Sequence, residues 1–275
     1  MHRLFAAVLT LSLSGLAPAA LAQPSSSSQL TPSLLANDST SSGGAVYAPP
    51  VSSTRPIAFS TVAVDAKVGV LGIGFEAATP LSMHLNLRAG GNFFSYADTL
   101  TSDGITYNAN LRFRSSEASL DYFPWAKSFH ISPGALLYNG NQVTGNANVP
   151  AGQTFTLNGT TYTSSASDPV SGNGSVTFNK AAPKLTVGWG NLIPRSGRHF
   201  SVPVELGFAY VGDPKVALNL NGTACYTYEG APYCANVATD PTIHANVVAQ
   251  QQKLANDAAD ARFFPILSAG FAYRF

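Results

Sequence analysis

The chain has 275 residues, of which 11% are charged, against about 25% in a typical soluble domain. Its formal net charge of +1 gives no reason to expect nucleic acid or an acidic macromolecule as a partner. Although 45% of the residues are hydrophobic, no internal stretch approaches the ~20 apolar residues of a transmembrane helix. Apolar residues that avoid long runs alternate with polar ones, as in membrane-spanning β-strands.

The N-terminus has the three parts of a secretory signal peptide. Residues 1–3 are a short basic start, residues 4–16 are an apolar run, and Ala20-Leu21-Ala22 is a cleavage site of small residues. The apolar run is too short for a spanning anchor. We therefore expect residues 1–22 to be a signal peptide for export.

A Ser-, Thr-, Pro- and Gly-rich segment follows. Residues 23–56 contain Ser25 to Ser28 and a second polar cluster at 39–44, so we expect a flexible leader. The remaining residues, 57–275, are enough for one sizeable β domain.

Strands with period-two alternation follow one another along this domain. Seven segments alternate between apolar and polar positions: 62–79, 81–89, 107–122, 130–138, 183–189, 200–210 and 263–275. The apolar parity reverses near Val70-Leu71, which predicts a bulge or two separate strands. A second reversal is expected between Phe113 and Ala118. Antiparallel strands whose ends lie on the same side require an even number, so an eighth strand is expected between Ile57 and Gly69.

Short and long connections alternate along the chain. Tight turns are predicted at Thr79, Pro124 and Arg195, and long loops after Ser95, Asn139 and Gly212. This is typical of a barrel with short periplasmic turns and long extracellular loops.

Two elements are predicted inside the long loops. An Asn158-Gly159 turn favours a small hairpin within 154–163, in a polar loop running to about Gly174. Asp240-Pro241 favours a helix start, with the helix continuing to about Ala261 as a surface or mouth-capping element.

The last strand carries an aromatic face. Phe271, Tyr273 and Phe275 share one side of 263–275, and the chain ends on an aromatic residue. This resembles the C-terminal signal of bacterial outer-membrane barrels that the barrel-assembly machinery reads. The alternative is an ordinary edge strand of a β-sandwich.

Two motifs carry a broader resemblance. Gly72-Ile-Gly-Phe-Glu-Ala-Ala-Thr-Pro-Leu-Ser-Met-His-Leu-Asn-Leu-Arg88 and Pro265-Ile-Leu-Ser-Ala-Gly-Phe-Ala-Tyr-Arg-Phe275 resemble small outer-membrane β-barrels of the OmpA-barrel and OmpW type. The resemblance covers 57–275 and implies fold and location rather than activity. The expected fold is all-β: a transmembrane antiparallel up-and-down barrel of about eight strands, with a short helix in the last long loop.

Strand parity places one set of polar residues inside this barrel. They are Glu76, His84, Asn86, Arg88, Asn108, Arg112, Arg114, Glu117, Asp121, Lys184, Glu205 and Arg274. Charges of both signs predict a lumen plugged by salt bridges, because an eight-stranded interior is just wide enough for side chains to fill. The alternative is an ion- or solute-selective pore, such as a narrow OmpW-like channel.

Cys225 and Cys234 are separated by a bend at Gly230-Ala231-Pro232. In an exported chain this spacing favours a loop disulfide. A metal site is the weaker alternative, since no His or further Cys lies near them in the sequence.

One pair resembles a catalytic motif. His130 and Ser132 share a strand face and look like the His-x-Ser of outer-membrane lipid A deacylases, but Gln142 stands roughly where that family's carboxylate might be sought. We therefore expect no enzymatic activity and assign no catalytic, cofactor-binding or metal-binding residue.

The expected location is the outer membrane, as a monomer with a structural or surface-interaction role. The expected partners are outer-membrane lipid or lipopolysaccharide, the barrel-assembly machinery, and a small solute or extracellular ligand. A secreted β-sandwich adhesin is the remaining alternative.

Overall fold

The computed structural model describes residues 57–102 and 105–275. The segments predicted as signal peptide (1–22) and leader (23–56) lie outside this range. The described strands are β1 (Ala63–Gly69), β2 (Gly72–Pro80), β3 (Leu85–Ser102), β4 (Ile105–Tyr122), β5 (Phe129–Asn139), β6 (Gln142–Asn148), β7 (Thr154–Leu157), β8 (Thr160–Ser164), β9 (Ser171–Thr177), β10 (Ala182–Trp189), β11 (Phe200–Ser201), β12 (Val204–Tyr210), β13 (Lys215–Asn221), β14 (Thr223–Tyr228), β15 (Ala231–Asn236) and β16 (Phe263–Arg274). One α-helix, α1 (Pro241–Asp257), and a 3-10 turn (Ala259–Arg262) precede β16.

Eight strands close into an antiparallel barrel. Around its circumference the order is β1, β2, β3, β4, β5, β10, β12 and β16, and β16 pairs again with β1. Closure gives every barrel strand a neighbour on both sides. The predicted all-β, eight-stranded barrel is confirmed, and β1 is the strand expected between residues 57 and 69.

Alternation along each strand turns apolar side chains outward and polar ones inward. In β12, Val204, Leu206 and Phe208 are exposed, whereas Glu205 between them is buried. Exposed apolar side chains on the other barrel strands complete a belt around the outside: Val64, Val68, Ile73, Phe75, Leu87, Leu120, Leu137, Leu185, Val187, Leu267 and Phe271. A belt of this extent is far larger than the scattered apolar residues of an ordinary surface.

The two ends of the barrel differ. The connections β2–β3, β4–β5 and β10–β11 lie at one end, which we call the turn end. The opposite end, the cap end, carries the long connections and one tight hairpin between β1 and β2.

At the cap end, five neighbouring strands form a sheet that extends beyond the barrel. β3 and β4 continue as one hairpin, and β6, β9 and β13 pair in order beside β4. Along the chain, β6 directly follows β5, β9 directly precedes β10, and β13 directly follows β12. The resulting cap sheet (β3-β4-β6-β9-β13) therefore extends the barrel wall. Residues 95–102, predicted as loop, belong to β3.

A second sheet and the helix complete the cap. β15, β14, β8 and β7 form a four-stranded sheet, and α1 packs against β13 and β7. The Asn158-Gly159 hairpin is present, with positive φ at both turn residues. Between these layers lies a hydrophobic core of Ile105, Val149, Leu157, Tyr162, Val170, Ala224, Val237, Ile243 and Val247. The long polar loops expected after Asn139 and Gly212 are therefore mostly ordered strands.

The helix begins where the sequence predicts. Asp240 is the N-cap, and its carboxylate accepts a hydrogen bond from the Ile243 amide at 2.9 Å. Ile243 and Val247 are buried in the cap core, so α1 is more than a surface element. No helix in the described ranges is long and apolar enough to cross a membrane.

Candidate functional site

The barrel interior holds a network of ion pairs. Lys67 Nζ lies 2.6 Å from both Glu76 Oε1 and Glu117 Oε1, and the ammonium of Lys184 contacts the other oxygen of Glu117. All four side chains are buried. Buried charges are tolerated when each has oppositely charged partners, as here.

Arg88 forms the centre of the second half of the network. Its guanidinium lies 3.1 Å from Glu76 Oε2 and 3.0 Å from Asp121 Oδ1, and it contacts Glu205. Glu76 therefore joins the two halves. Arg88 is 2% exposed, so three carboxylates rather than water stabilise its charge.

His130 and Ser132 belong to the same interior. His130 Nε2 lies 3.2 Å from Glu205 Oε1, and the Ser132 hydroxyl donates to Asp121 Oδ1 at 2.7 Å. Both side chains are buried and bind different carboxylates. The structure therefore does not bring the two together in the way that the His-x-Ser resemblance implies.

Glycines on the inward face make room for these large polar side chains. A Cβ at Gly188 would lie 2.5 Å from His130 Nε2, and one at Gly270 would lie 2.5 Å from the Asp65 carboxylate. Both distances are too short for a side chain. At these two positions, the space that a side chain would need is occupied by His130 and Asp65.

Apolar layers lie at both ends of the network. Toward the cap end, Leu136, Ala182, Ala209, Val211 and Ile266 form a buried cluster. At the turn end, the β10–β11 connection folds inward, and Leu192 and Ile193, each 2% exposed, pack against Ala63, Ala78 and Ala272.

Hydrogen bonds fix this turn in the barrel mouth. Asn191 Oδ1 accepts from Asn86 Nδ2 at 3.0 Å and from the Ile193 amide at 2.9 Å. Arg195 donates to Asn86 Oδ1 at 2.8 Å. Burial lowers the pKa of Arg195, and the neighbouring Arg274 guanidinium lowers it further.

The structure places the predicted interior residues in four different surroundings. Asn86 lies at the turn-end mouth, where it bonds Asn191 and Arg195. Those in the network are Glu76, Arg88, Glu117, Asp121, Lys184 and Glu205. Arg274 lies at the turn-end mouth and donates to the Pro194 carbonyl at 3.0 Å. His84 is exposed in the β2–β3 turn.

Arg112, Arg114 and Asn108 lie on the outer face instead of the inner one. The register between β3 and β4 runs unbroken from Leu85 opposite Tyr122 to Ser102 opposite Ile105, so the expected parity reversal in this strand does not exist. A register shift does occur in the pairing of β4 with β5, between Ser116 and Glu117. Even-numbered residues of β4 therefore point outward along its whole length.

Sequence reasoning missed Asp65 and Lys67, both buried in the interior. Their strand, β1, was expected only as a segment between 57 and 69. The signal was present, because the two charged residues alternate with Val64, Ala66 and Val68.

The structure joins Cys225 and Cys234 by a disulfide, and the two residues are opposite each other on β14 and β15. The turn of this hairpin lies at Glu229-Gly230, where both residues have positive φ, one step before the expected bend. Within residues 57–102 and 105–275, no three His, Cys, Asp or Glu side chains converge on a metal-sized site.

The residues predicted as an assembly signal lie at the turn end. Phe271 and Phe275 are exposed, and Tyr273 packs between the rings of Phe200 and Phe275, with centroids 5.1 and 5.0 Å away. Trp125, Phe129 and Trp189 form another aromatic cluster at the same end.

Fold and interior together define an antiparallel eight-stranded barrel that is apolar outside and charged inside. No protein-family model matches the chain, and no curated protein matches its sequence. The crystal structure of CarO2 from Acinetobacter baumannii is similar in fold, with a TM-score of 0.50 and 22% identity over 78% of this chain and 98% of that one. The crystal structure of Acinetobacter baumannii CarO gives a TM-score of 0.49 and 23% identity over 80% and 98%. At this identity, the likeness to CarO2 shows a shared fold alone.

Proposed function

We propose that the protein is an integral outer-membrane β-barrel whose polar lumen is plugged. The observation that carries this proposal is the inverted polarity of the closed barrel: apolar side chains cover its outside and ion pairs fill its inside. In water this arrangement would expose the belt at a large free-energy cost. In a bilayer it is the favourable one.

The dimensions of the wall agree with a bilayer. β1 has seven residues and β2 has nine. At about 3.4 Å per residue and a tilt of about 40°, seven residues span roughly 18 Å and nine span roughly 23 Å, near the apolar band of about 25 Å in such barrels.

The outer membrane is the proposed location because residues 1–22 have the pattern of a signal peptide and the closed barrel is apolar on its outside. The turn end then faces the periplasm and the cap faces outward. Lipid and lipopolysaccharide surround the belt, and the barrel-assembly machinery reads Phe271, Tyr273 and Phe275.

Fractionation tests this location. The mature chain is expected in the outer-membrane fraction, with gel mobility that changes on boiling because a closed barrel resists detergent until heated. A monodisperse protein in detergent-free buffer would contradict the proposal and favour the adhesin alternative.

Three internal layers support the proposal that the lumen is plugged. Leu192 and Ile193 cover the turn end, the ion pairs occupy the middle, and the cluster around Leu136 and Ile266 covers the cap end. An ion would have to break a buried salt bridge to pass. The proposed role is therefore structural or surface-interacting rather than transport.

Planar-bilayer recording tests the plug. The folded protein is expected to insert, shown by co-flotation with lipid vesicles, and to give no steady current. A stable open current from the inserted wild-type protein would contradict a plugged lumen and favour the narrow OmpW-like channel.

A further inference from the structure

Most side chains on the outer face of the cap sheet are polar and uncharged. Directly opposed residues of an antiparallel sheet share a face, so the registers define four rows of five side chains. From the tip toward the barrel, the rows are Thr101, Thr106, Asn148, Ser171 and Asn221; Thr99, Asn108, Asn146, Asn173 and Asn219; Ala97, Asn110, Thr144, Ser175 and Ala217; and Ser95, Arg112, Gln142, Thr177 and Lys215. We call this surface the amide face.

The amide face offers hydrogen-bonding groups that the protein does not use. Thr99 donates to Asn108 at 2.8 Å. The amides of Asn146, Asn173 and Asn219 make no side-chain hydrogen bond to another described residue, and all three are exposed. Each amide presents both donors and an acceptor, which suits the hydroxyl groups of sugars.

A groove of about 590 Å³ lies on the same part of the cap sheet. It is lined by Ala97, Asp98, Thr99, Asn108, Ala109, Asn110, Thr144 and Asn146. The register assigns the Asp98 side chain to the other face of the sheet, opposite Ala109, and its carboxylate accepts a hydrogen bond from the Thr99 amide at 2.9 Å. The groove is large enough for a sugar residue and lined mainly by polar groups.

Cations lie at the foot of the amide face. Arg112 and Lys215 belong to its lowest row, and Arg114 is the next outward residue of β4 toward the barrel. Lys180 Nζ lies 6.0 Å from the centre of the Tyr138 ring on the neighbouring wall. None of these four forms an ion pair within residues 57–102 and 105–275; Asp213, near Lys215 in sequence, pairs with Arg262 at 3.5 Å.

The outer wall therefore has three zones in vertical order. The apolar belt comes first, the unpaired cations come next, and the amide face comes last. Because β4 continues without a register shift, all three lie on one continuous surface. An outer-leaflet glycolipid has the same order of chemistry, from acyl chains through phosphates to sugars.

We infer that this surface binds one occupant, the phosphorylated glycolipid of the outer leaflet. Arg112, Arg114, Lys180 and Lys215 meet its phosphates, because guanidinium and ammonium groups without carboxylate partners favour such anions. The amide face meets its sugars. The inference rests on the proposed outer-membrane location and adds a defined lipid contact to it.

The test uses the full mature chain folded in detergent micelles and a fluorescent rough lipopolysaccharide that carries phosphorylated lipid A and core sugars. The double variant Arg112→Ala/Arg114→Ala is expected to raise Kd roughly twentyfold. The matched control Lys127→Ala/Arg198→Ala removes two exposed cations at the turn end and should change Kd less than about twofold.

The sugar contact has its own arm. Asn146→Ala/Asn173→Ala is expected to raise Kd for the sugar-bearing lipopolysaccharide about tenfold, and to leave Kd for phosphorylated lipid A without sugars unchanged. Gln252→Ala/Asn256→Ala, on the exposed side of α1, is the control. Free core oligosaccharide and inorganic phosphate, each alone, should compete poorly.

The outcomes separate the inference from the proposed function. Wild-type Kd retained by both double variants, or equal binding of dephosphorylated lipid A, would overturn the glycolipid site while the barrel stands. Heat-modifiable mobility of every variant shows that the barrel has formed. A wild-type chain without it would overturn the proposed function and, with it, this inference.

Discussion

Arg88 compensates more buried carboxylates than any other single cation of the interior network described above. Glu76, Asp121 and Glu205 all contact its guanidinium, and all three carboxylates are buried. Such a residue contributes to the free energy of unfolding mainly because its removal would leave buried charges unpaired.

The substitution Arg88→Met is expected to lower the free energy of unfolding by about 3–5 kcal/mol, because three carboxylates would lose their common partner. Urea unfolding in lipid vesicles, followed by tryptophan fluorescence, measures it. Arg112→Met removes an exposed cation on the same wall and is expected to change stability by no more than about 0.5 kcal/mol. Equal effects of the two variants would mean that the interior ion pairs contribute little.

The misplacement of Arg112 and Arg114 has a physical cause. Below the barrel rim, apolar residues of β4 such as Leu120 face outward. Above it, Ile105 and Tyr107 face the cap core, and the polar residues face outward. The same face of β4 points outward along the whole strand. What changes at the rim is the side on which the apolar surroundings lie: outside the barrel below it, and in the cap core above it. A sequence pattern records the inversion but cannot distinguish it from a bulge.

At the scale of elements, the cap shows where sequence reasoning stopped. The alternation in Lys215–Asn221, with Val216, Leu218 and Leu220 on one side, was sufficient to predict a strand. β6 and β9 carry weaker signals, because Gly145, Gly172 and Gly174 interrupt them. Their pairing depends on neighbours distant in sequence, which periodicity alone does not identify.

The hairpin closed by Cys225 and Cys234 belongs to the cap and to none of the barrel strands. Cys225→Ser/Cys234→Ser is expected to destabilise the cap by about 2–3 kcal/mol, since the bond closes a short loop in the unfolded chain. Limited proteolysis should then cut within 223–236, while heat-modifiable mobility stays unchanged. Loss of the barrel in this variant would show that cap and barrel fold as one unit.

At the scale of the whole molecule, the eight-stranded barrel could be predicted because its two environments repeat on every strand. One closed wall separates a polar interior from an apolar exterior, and this explains three features of the sequence. They are the alternating parity, the tight turns near Thr79, Pro124 and Arg195, and the aromatic final strand. The cap has no such repeated constraint.

One charged substitution tests whether hydrocarbon surrounds the apolar belt. Leu206 lies in the middle of β12, points outward and is 59% exposed. Leu206→Arg is expected to cost about 2–4 kcal/mol of stability in lipid vesicles, because a cation near the bilayer midplane is poorly solvated.

The control is Ala217→Arg, at an exposed position of the amide face, where about 0.5 kcal/mol or less is expected. Urea titration of both variants in the same vesicles gives the comparison. A harmless Leu206→Arg would mean that water, rather than hydrocarbon, surrounds the belt.

The tight hairpin between β1 and β2 fixes how deep the molecule can sit. Among the described residues, β3 beyond Phe93 pairs with β4 but has no partner on its β2 edge. In the same way, β16 before Leu267 pairs with β12 but has no strand partner on its β1 edge. Their bare amides and carbonyls need water, which hydrocarbon cannot supply. In the proposed bilayer, the outer boundary of the hydrocarbon on this side of the barrel therefore lies no higher than the tip of the β1–β2 hairpin. The cap sheet on the opposite side extends above that boundary.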